Sequence, residues 1–347
     1  MLANRRALTS RYIAFCLGCL VVIGILHALF LKLVEWVPSF SPLLFPTLTI
    51  FLLVFHLFIA CFMAMKYGCD KRRLYLVAIA FAFAGSALLM VGTLTSFPAW
   101  LDLYQFNVVN YNDAMIYYMF RHFLMAVLFI VATILYPMRK YPLSRLAHIS
   151  IVSGASLFTA CAVGLAWIYS SHSPLLSIDL VDNETRQFMV LWSHCINISL
   201  IVFWVITLVA LMFVTRVRNL FWVGGNFLCV CYIVTLSMLL AGGHAEDISW
   251  YRARLFETVA TLLIIFVLLY DVFRLYRDSH VKYQQSYQNS IRDPLTRLYN
   301  RSYFYESLNQ ALDIARPNRP VSVIVSDLDR FKRINDTYGH LQGDKVL

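Results

Sequence analysis

Eight long apolar stretches constrain the fold of this chain more than any other feature of its sequence. An α-helix needs about 20 apolar residues to cross the hydrocarbon core of a bilayer, and each stretch meets that length with few charges. Composition agrees, because 60% of the residues are hydrophobic and only 14% are charged. The predicted spans are Tyr12–Val34, Leu43–Met65, Leu74–Thr95, Met115–Met138, Leu146–Ser170, Phe188–Thr215, Leu220–Ala241 and Leu255–Phe273. The sequence therefore predicts a multi-pass α-helical membrane bundle and excludes an ordinary soluble protein.

Lysine and arginine residues fall mainly in alternate loops between these stretches. The intervening loops are acidic or poor in basic residues. The basic positions are Arg5, Arg6 and Arg11; Lys66, Lys71, Arg72 and Arg73; Arg139, Lys140 and Arg145; Arg216 and Arg218; and Arg274 and Arg277. Because positively charged loops stay on the cytoplasmic side of a membrane, we expect both termini to be cytoplasmic. The same bias explains the formal net charge of +10, so no nucleic-acid partner is expected.

The fourth stretch contains an arginine about two helical turns inside its predicted outer end. Arg121 lies in the segment MIYYMFRHFL, residues 115–124. A charged side chain at that depth is costly in lipid and indicates a functional site with a partner. Glu257, at a similar depth in the eighth stretch, is the candidate partner. The alternative is that Arg121 extends to the outer interface beside Tyr117 and Tyr118.

Histidines also lie within the predicted spans, at positions 27, 56, 122 and 194. Paired histidines on facing helices can hold a haem, which would make the bundle a redox or gas sensor. The histidines have no spacing signature that favours this interpretation. Buried, hydrogen-bonded histidines are the alternative.

Large side chains continue at regular spacing beyond the eighth stretch, into residues 274–291. The spacing alternates between three and four residues along the series Phe273, Tyr276, His280, Tyr283, Tyr287 and Ser290. This heptad-like pattern favours a helix that pairs in parallel with a second copy of the chain, so we expect a homodimer through this linker. An unpaired amphipathic helix is the alternative.

The last 55 or so residues have the pattern of a soluble α/β segment. Asp293-Pro294 ends the preceding helix, and apolar spacing predicts a helix over residues 302–315. A turn at residues 316–320 leads to an apolar, β-branched run, Val321–Val325, which predicts a buried strand. Asp327 and Asp329 follow directly. Carboxylates at a strand end, with a lysine soon after, suit a divalent metal that carries phosphates.

Two motifs in this segment resemble one protein family. Residues 327–344 follow the pattern D-x-D-x-F-K-x-x-N-D-x-x-G-H-x-x-G-D, and residues 292–301 read RDPLTRLYNR. At this separation they resemble the first part of the GGDEF domain of bacterial diguanylate cyclases. The membrane segment looks like the multi-pass membrane-associated sensor domains that precede such modules. The resemblance implies a sensor domain at 1–273, a signalling linker helix at 274–291 and the N-terminal portion of an α/β GGDEF domain at 292–347, in a bacterial inner membrane.

The resemblance also implies a reaction and its cofactor. Two GTP molecules would condense to cyclic di-GMP with release of two diphosphates, one GTP being held by each subunit of a dimer. Mg²⁺, with Mn²⁺ as a substitute, would be held by the carboxylate of Asp327 and the main-chain carbonyl of Leu328. Lys332 matches the lysine that contacts the triphosphate and would stabilise charge on the transferred phosphorus.

Three further positions match the nucleotide-binding residues of the family. Asn335 and Asp344 match the residues that recognise guanine. This role suits their chemistry, because a carboxylate accepts the N1–H and N2–H of guanine and an amide offers a donor and an acceptor. His340 lies in the loop that faces the nucleotide. Arg297 departs from the family pattern, since many relatives have glycine there.

The signature Gly-Gly-(Asp/Glu)-Glu-Phe does not occur in residues 1–347. We therefore expect the chain, taken as written, to lack the C-terminal part of the GGDEF domain and to be catalytically inactive. One alternative is a non-catalytic membrane sensor or interaction protein that docks to a partner cyclase. Another is a transporter with Arg121 and Glu257 along its path, although no matching pair of Gly- or Pro-interrupted spans supports it.

Overall fold

A computed structural model describes residues 2–36, 40–41, 43–97 and 109–347, without the side chains of residues 2–8. The chain divides into two compact units, Met1–Asp271 and Val272–Leu347, which are described separately.

The described residues contain eight helices that are long and apolar enough to cross a membrane, which confirms the predicted number of spans. The helices of this unit are α1 (Leu2–Trp36), α2 (Leu44–Cys69), α3 (Tyr75–Thr95), α4 (Tyr111–Leu135), α5 (Arg145–Tyr169), α6 (Asn197–Thr215), α7 (Leu220–Ala241) and α8 (Ile248–Ile291). A 3₁₀ turn at Pro137–Lys140 follows α4, and a π-helical segment at Leu191–Ile196 precedes α6.

Close helix packing is centred on α3, which lies against α2, α4 and α5. Two glycines of α3 permit this approach. A Cβ atom added at Gly85 would overlap Leu124 and Thr159, and one added at Gly92 would overlap the ring of Tyr117. Lipid tails are as apolar as leucine, so helices in a membrane associate through such close packing of small residues.

The eighth helix begins earlier than its apolar pattern predicts. It starts at Ile248, seven residues before the predicted start at Leu255, because Asp247 Oδ1 accepts a hydrogen bond from the Ser249 backbone N–H at 2.6 Å and caps the first turn. As a result Arg254 lies inside the helix. The helix contains 44 residues with neither glycine nor proline.

The ends of α8 within this unit are held by ion pairs to other helices. Near its start, Glu257 pairs with Arg121 of α4. Further along, Asp271 accepts a hydrogen bond from Lys66 Nζ of α2 at 2.8 Å. Lys66 and Asp271 retain 16% and 32% exposure, so this second pair is less deeply buried than the first.

The second unit contains the rest of α8 followed by three shorter helices: α9 (Arg301–Ile314), α10 (Phe331–Tyr338) and α11 (His340–Gly343). The strand predicted at Val321–Val325 does not form. The β-bridges found in the described residues are isolated pairs of residues that belong to no sheet. Ile324 and Val325 are 93% and 89% exposed. The prediction of a buried strand is wrong for this structure because an extended segment needs neighbouring strands for its hydrogen bonds and its apolar face.

Candidate functional site

The motif RDPLTRLYNR forms a tight turn between α8 and α9. Asp293 Oδ1 accepts hydrogen bonds from Leu295 N, Thr296 N and Thr296 Oγ1 at 3.0, 2.8 and 3.0 Å. These donors, those of Thr296 first, lower the pKa of the Asp293 carboxyl below its usual range, since they stabilise its charged form. Asn300 then caps α9 by accepting from Tyr303 N at 3.0 Å.

Arg297 occupies the left-handed region of backbone conformation, with φ of 60°. Its carbonyl accepts a hydrogen bond from Arg292 Nη1 at 2.7 Å. A side chain at such a position costs about 1–2 kcal/mol relative to glycine. The turn therefore explains why glycine suits this position of the motif, and why arginine is the less favourable residue.

The second motif places Asn335 next to Gly343, at the junction of α10 and α11. Gly339, with φ of 80°, provides the left-handed turn between the two helices. A Cβ atom added at Gly343 would overlap the side-chain amide of Asn335. Asp344 follows directly, with its N–H bonded to the His340 carbonyl at 2.8 Å. The two predicted guanine-binding residues thus come from adjacent parts of one compact turn.

The residues predicted to bind metal and phosphate lie in an open segment. Asp327 is exposed, and its Oδ1 accepts the N–H of Leu328 at 2.9 Å. Lys332 is exposed in the first turn of α10. One carboxylate and one carbonyl fit Mg²⁺, which typically takes one or two protein carboxylates and completes its shell with water and phosphate oxygens. Within the described residues, no three His, Cys, Asp or Glu side chains form a metal-binding group.

The membrane bundle contains a buried charge cluster that joins α4 to α8. Arg121 Nη1 and Nη2 donate to Glu257 Oε1 and Oε2 at 2.5 and 3.0 Å. Arg254 Nη1 donates to the same Oε2 at 3.3 Å. Arg121, Glu257 and Arg254 are 1%, 2% and 4% exposed. The predicted partnership of Arg121 with Glu257 is confirmed, and the alternative in which Arg121 extends to the interface is wrong.

His122 lies between this cluster and Trp204. Trp204 Nε1 donates to His122 Nδ1 at 3.2 Å, and Arg121 Nη2 lies 3.2 Å from His122 Nε2. Indole and guanidinium nitrogens only donate, so His122 must be neutral to accept from either of them. With both ring nitrogens against donors, His122 has no nitrogen directed at a metal. His56, also buried, pairs through Nδ1 with Ser86 Oγ at 2.8 Å. These contacts support the hydrogen-bonded alternative for His122 and, through one of its two ring nitrogens, for His56, whose Nε2 has no partner among the described residues.

A family model for MASE4, described as a membrane-associated sensor, integral membrane domain, matches residues 39–276, more than half of the chain. The chain belongs to the MASE4 family. A second model, the GGDEF domain of diguanylate cyclases, matches residues 290–347. The chain thus joins a MASE4 membrane domain to a segment that matches the GGDEF domain.

Curated relatives match this chain over very different lengths. The probable diguanylate cyclase DgcT of Escherichia coli (strain K12) is 25% identical over 82% of this chain and 62% of its own length. Diguanylate cyclase DgcS of Shewanella oneidensis is 46% identical over 19% of this chain and 23% of its own length. DgcP of Pseudomonas aeruginosa is 47% identical over 20% of this chain and 10% of its own length. The chain thus spans 62% of DgcT and less of the others. No solved structure matches it.

Sequence reasoning missed Arg254 of the MASE4 bundle as a member of the charge cluster. Its position before the apolar part of the eighth stretch suggested a loop residue. The available signal was Asp247, an N-cap residue placed seven positions earlier, which extends the helix and puts Arg254 and Glu257 three residues apart on one face. That spacing was visible in the sequence.

Proposed function

We propose that this protein is a membrane-anchored diguanylate cyclase whose MASE4 bundle controls the condensation of two GTP into cyclic di-GMP. The observation that supports this most directly is the turn at α10 and α11, in which Asn335 and Gly343-Asp344 lie together in a chain of this family. We propose a sensor domain at 1–273, a linker helix at 274–291 and a GGDEF segment at 292–347.

Asn335 and Asp344 are proposed to recognise the guanine base. The carboxylate of Asp344 accepts two N–H groups of guanine, and the amide of Asn335 pairs with a donor and an acceptor on the purine. Adenine presents a different pattern of donors and acceptors, so the same pair disfavours ATP. His340, between them in sequence, is proposed to line the nucleotide site.

Lys332 is proposed to hold the triphosphate. In each half-reaction the 3′-oxygen of one GTP forms a bond to the α-phosphorus of the other, the bond to the diphosphate oxygen breaks, and the 3′-hydroxyl proton is released to solvent. The ammonium of Lys332 stabilises negative charge that develops on the phosphate. Asp327 and the Leu328 carbonyl would hold Mg²⁺, which neutralises phosphate charge when bound.

The proposal is tested on two purified proteins: residues 1–347, and the product of the gene's reading frame read to its own stop codon. With GTP and Mg²⁺, the reading-frame product should form cyclic di-GMP, which is quantified by liquid chromatography, and ATP should not react. Residues 1–347 alone should form none. Turnover by residues 1–347 would refute their inactivity. Failure of both proteins to bind or convert GTP would instead favour the non-catalytic sensor or interaction protein.

Substitution of Gly343 by alanine should disrupt guanine recognition. The new Cβ atom overlaps the Asn335 amide and must displace it, and a displacement of about 1 Å can reduce an enzyme's efficiency by about 100-fold. We expect GTP affinity and the preference for GTP over ATP to fall together, as measured by nucleotide titration of the reading-frame product. Alanine at the neighbouring exposed Gln342 serves as the control. Unchanged GTP binding in Gly343→Ala would argue against this role of Asn335.

We also propose a parallel homodimer through residues 274–291. The aromatic positions of this part of α8 are exposed in the monomer, with Tyr276 at 71% and Tyr283 at 68%. Exposed aromatic residues at heptad-like spacing favour a second copy of the same helix as their partner. Each protomer would then present its GTP site to that of its partner.

The dimer predicts a specific effect of charge in the linker. Tyr283→Glu places two like charges in the paired seam and should shift the detergent-solubilised protein from dimer to monomer, as measured by light scattering. Gln285→Glu, two residues away and off the seam, should leave the dimer unchanged. Equal molecular masses for the wild type and Tyr283→Glu would contradict pairing through this helix.

The protein is an integral membrane protein, and we propose that it lies in the bacterial inner membrane with both termini in the cytoplasm. The excess of lysine and arginine in alternate loops supports this orientation. Labelling of single introduced cysteines in intact cells tests it. Positions next to Lys71 should be protected from a membrane-impermeant reagent, and positions next to Glu184 should react.

A further inference from the structure

A small cavity lies at one end of the membrane bundle, next to the charge cluster. Its walls come from the first turn of α2, the first three turns of α4 and α8 and the last turn of α7, and include Phe45, Tyr118, Leu239, Trp250 and Arg254. The open space accommodates about one water-sized particle. Since these helix ends lie opposite the basic loops, the proposed orientation places the cavity near the outer face.

Among the residues that the structure describes, the cluster beside this cavity has an excess positive charge. Two guanidinium groups, of Arg121 and Arg254, share the single carboxylate of Glu257. Asp113, another buried acid of the described bundle, is bonded elsewhere, because it accepts from the N–H and hydroxyl of Ser171. An uncompensated charge in a low-dielectric interior is costly and calls for an ion of opposite sign.

Arg254 uses only one of its N–H donors to contact Glu257, whereas Arg121 uses two. Arg121 makes a two-pronged pair with Glu257, whereas Arg254 reaches the carboxylate through one N–H at 3.3 Å. The guanidinium of Arg254 has five N–H donors. Its central carbon also lies 4.5 Å from the centre of the Phe45 ring, which holds it at the cavity wall.

Two further hydrogen-bond donors at the cavity have no acceptor within the described part of the chain. Trp250 Nε1 is buried and has no hydrogen-bond partner among the described residues, and Trp250 is 4% exposed. The hydroxyl of Tyr118, a residue that is 6% exposed, likewise makes no hydrogen bond of normal geometry to any described residue, and its polar neighbour is the Thr235 side chain. A buried donor without an acceptor costs free energy, so the cavity is chemically suited to an acceptor.

We propose that this cavity binds one halide-sized monovalent anion, with Arg254 as its charged partner and the Trp250 indole and Tyr118 hydroxyl as donors. One negative charge balances the excess of the cluster. The space suits a monatomic ion, and apolar walls such as Leu239 favour a weakly hydrated one. Because Arg254 and Glu257 lie on α8, occupancy of the cavity changes the forces on the helix that continues to Ile291. The inference depends on the membrane bundle alone and not on cyclase activity.

Thermal unfolding of the full chain in detergent tests the site, with sodium gluconate replaced stepwise by sodium chloride at constant ionic strength and pH. A ligand that binds only the folded state raises the unfolding temperature in a saturable manner. We expect that rise for the wild type with chloride. Arg254→Gln should weaken chloride binding at least about tenfold, because a charge-assisted hydrogen bond is lost. Arg252→Gln, on the same helix but outside the cavity wall, should retain the chloride effect.

Trp250→Phe provides a second test if Arg254→Gln does not fold. It retains an aromatic ring and removes only the indole N–H, so the chloride midpoint should move to higher concentration while the basal unfolding temperature changes little. Coincident wild-type curves in chloride and gluconate would overturn the proposal. So would an unchanged chloride midpoint in both Arg254→Gln and Trp250→Phe.

Discussion

Replacement of Glu257 by glutamine is expected to lower the free energy of unfolding of the membrane bundle by about 3–5 kcal/mol. Glutamine has the shape of glutamate, so the change removes charge without opening a cavity. The two guanidinium groups of Arg121 and Arg254, which are 1% and 4% exposed, would then lose the carboxylate that lies between them. Chemical unfolding in mild detergent, followed by the loss of helical circular dichroism, measures the effect.

A second ion pair of the same helix is the matched control. Asp271→Asn removes the pair with Lys66, whose members retain 32% and 16% exposure. The pair is partly exposed and Lys66 lies in the last turn of α2, so its loss should cost about 1 kcal/mol or less. The double variant Arg121→Gln/Glu257→Gln should recover part of the loss caused by Glu257→Gln, because one uncompensated charge is removed. A Glu257→Gln protein as stable as Asp271→Asn would show that the cluster is not a desolvated charge network.

Replacement of Lys332 by alanine is expected to reduce the rate of cyclic di-GMP formation by about 100- to 1,000-fold, with a smaller effect on GTP affinity. The reason is that the lysine ammonium acts mainly on charge that develops as the bond between the α-phosphorus and the diphosphate oxygen breaks. The measurement is the initial rate against GTP concentration, carried out with the product of the gene's reading frame, so that kcat and KM are obtained separately.

Arg333 provides the matched control for this effect. It is basic and exposed, and it follows Lys332 on the same short helix. Arg333→Ala removes the same amount of positive charge, and we expect it to retain most of the activity. Equal losses in the two variants would indicate a general electrostatic effect of α10. A specific contact of Lys332 with the triphosphate would then be excluded.

The membrane part of this fold was largely predictable because its main signal is local. A run of about 20 apolar residues is sufficient to predict a spanning helix. The partner of Arg121 depended on packing between α4 and α8, for which the sequence offered only a matching depth. Arg254 was missed because a prediction based on apolar residues ignores a polar capping residue such as Asp247, which moves the start of the helix.

The second unit illustrates the opposite case. The turn at Asp293 and the helix of α9 form as predicted, since their hydrogen bonds come from residues nearby in sequence. The strand at Val321–Val325 does not form, because β-structure requires partners distant in sequence. Asn335, Gly343 and Asp344 come together without a sheet, through the short turn at Gly339. The motif therefore predicted this local arrangement better than the domain around it.

The absence of glycine and proline from α8 has a consequence for how a signal can travel along it. A helix without a weak point has no preferred place to bend, so it transmits torsion and axial shift instead of hinge motion. Each added residue turns the downstream part by about 100°, whereas seven added residues make nearly two full turns. A signal carried in this way depends on angular phase. The number of residues that the connecting helix has beyond a whole number of heptads is then constrained more strongly than its length in ångströms.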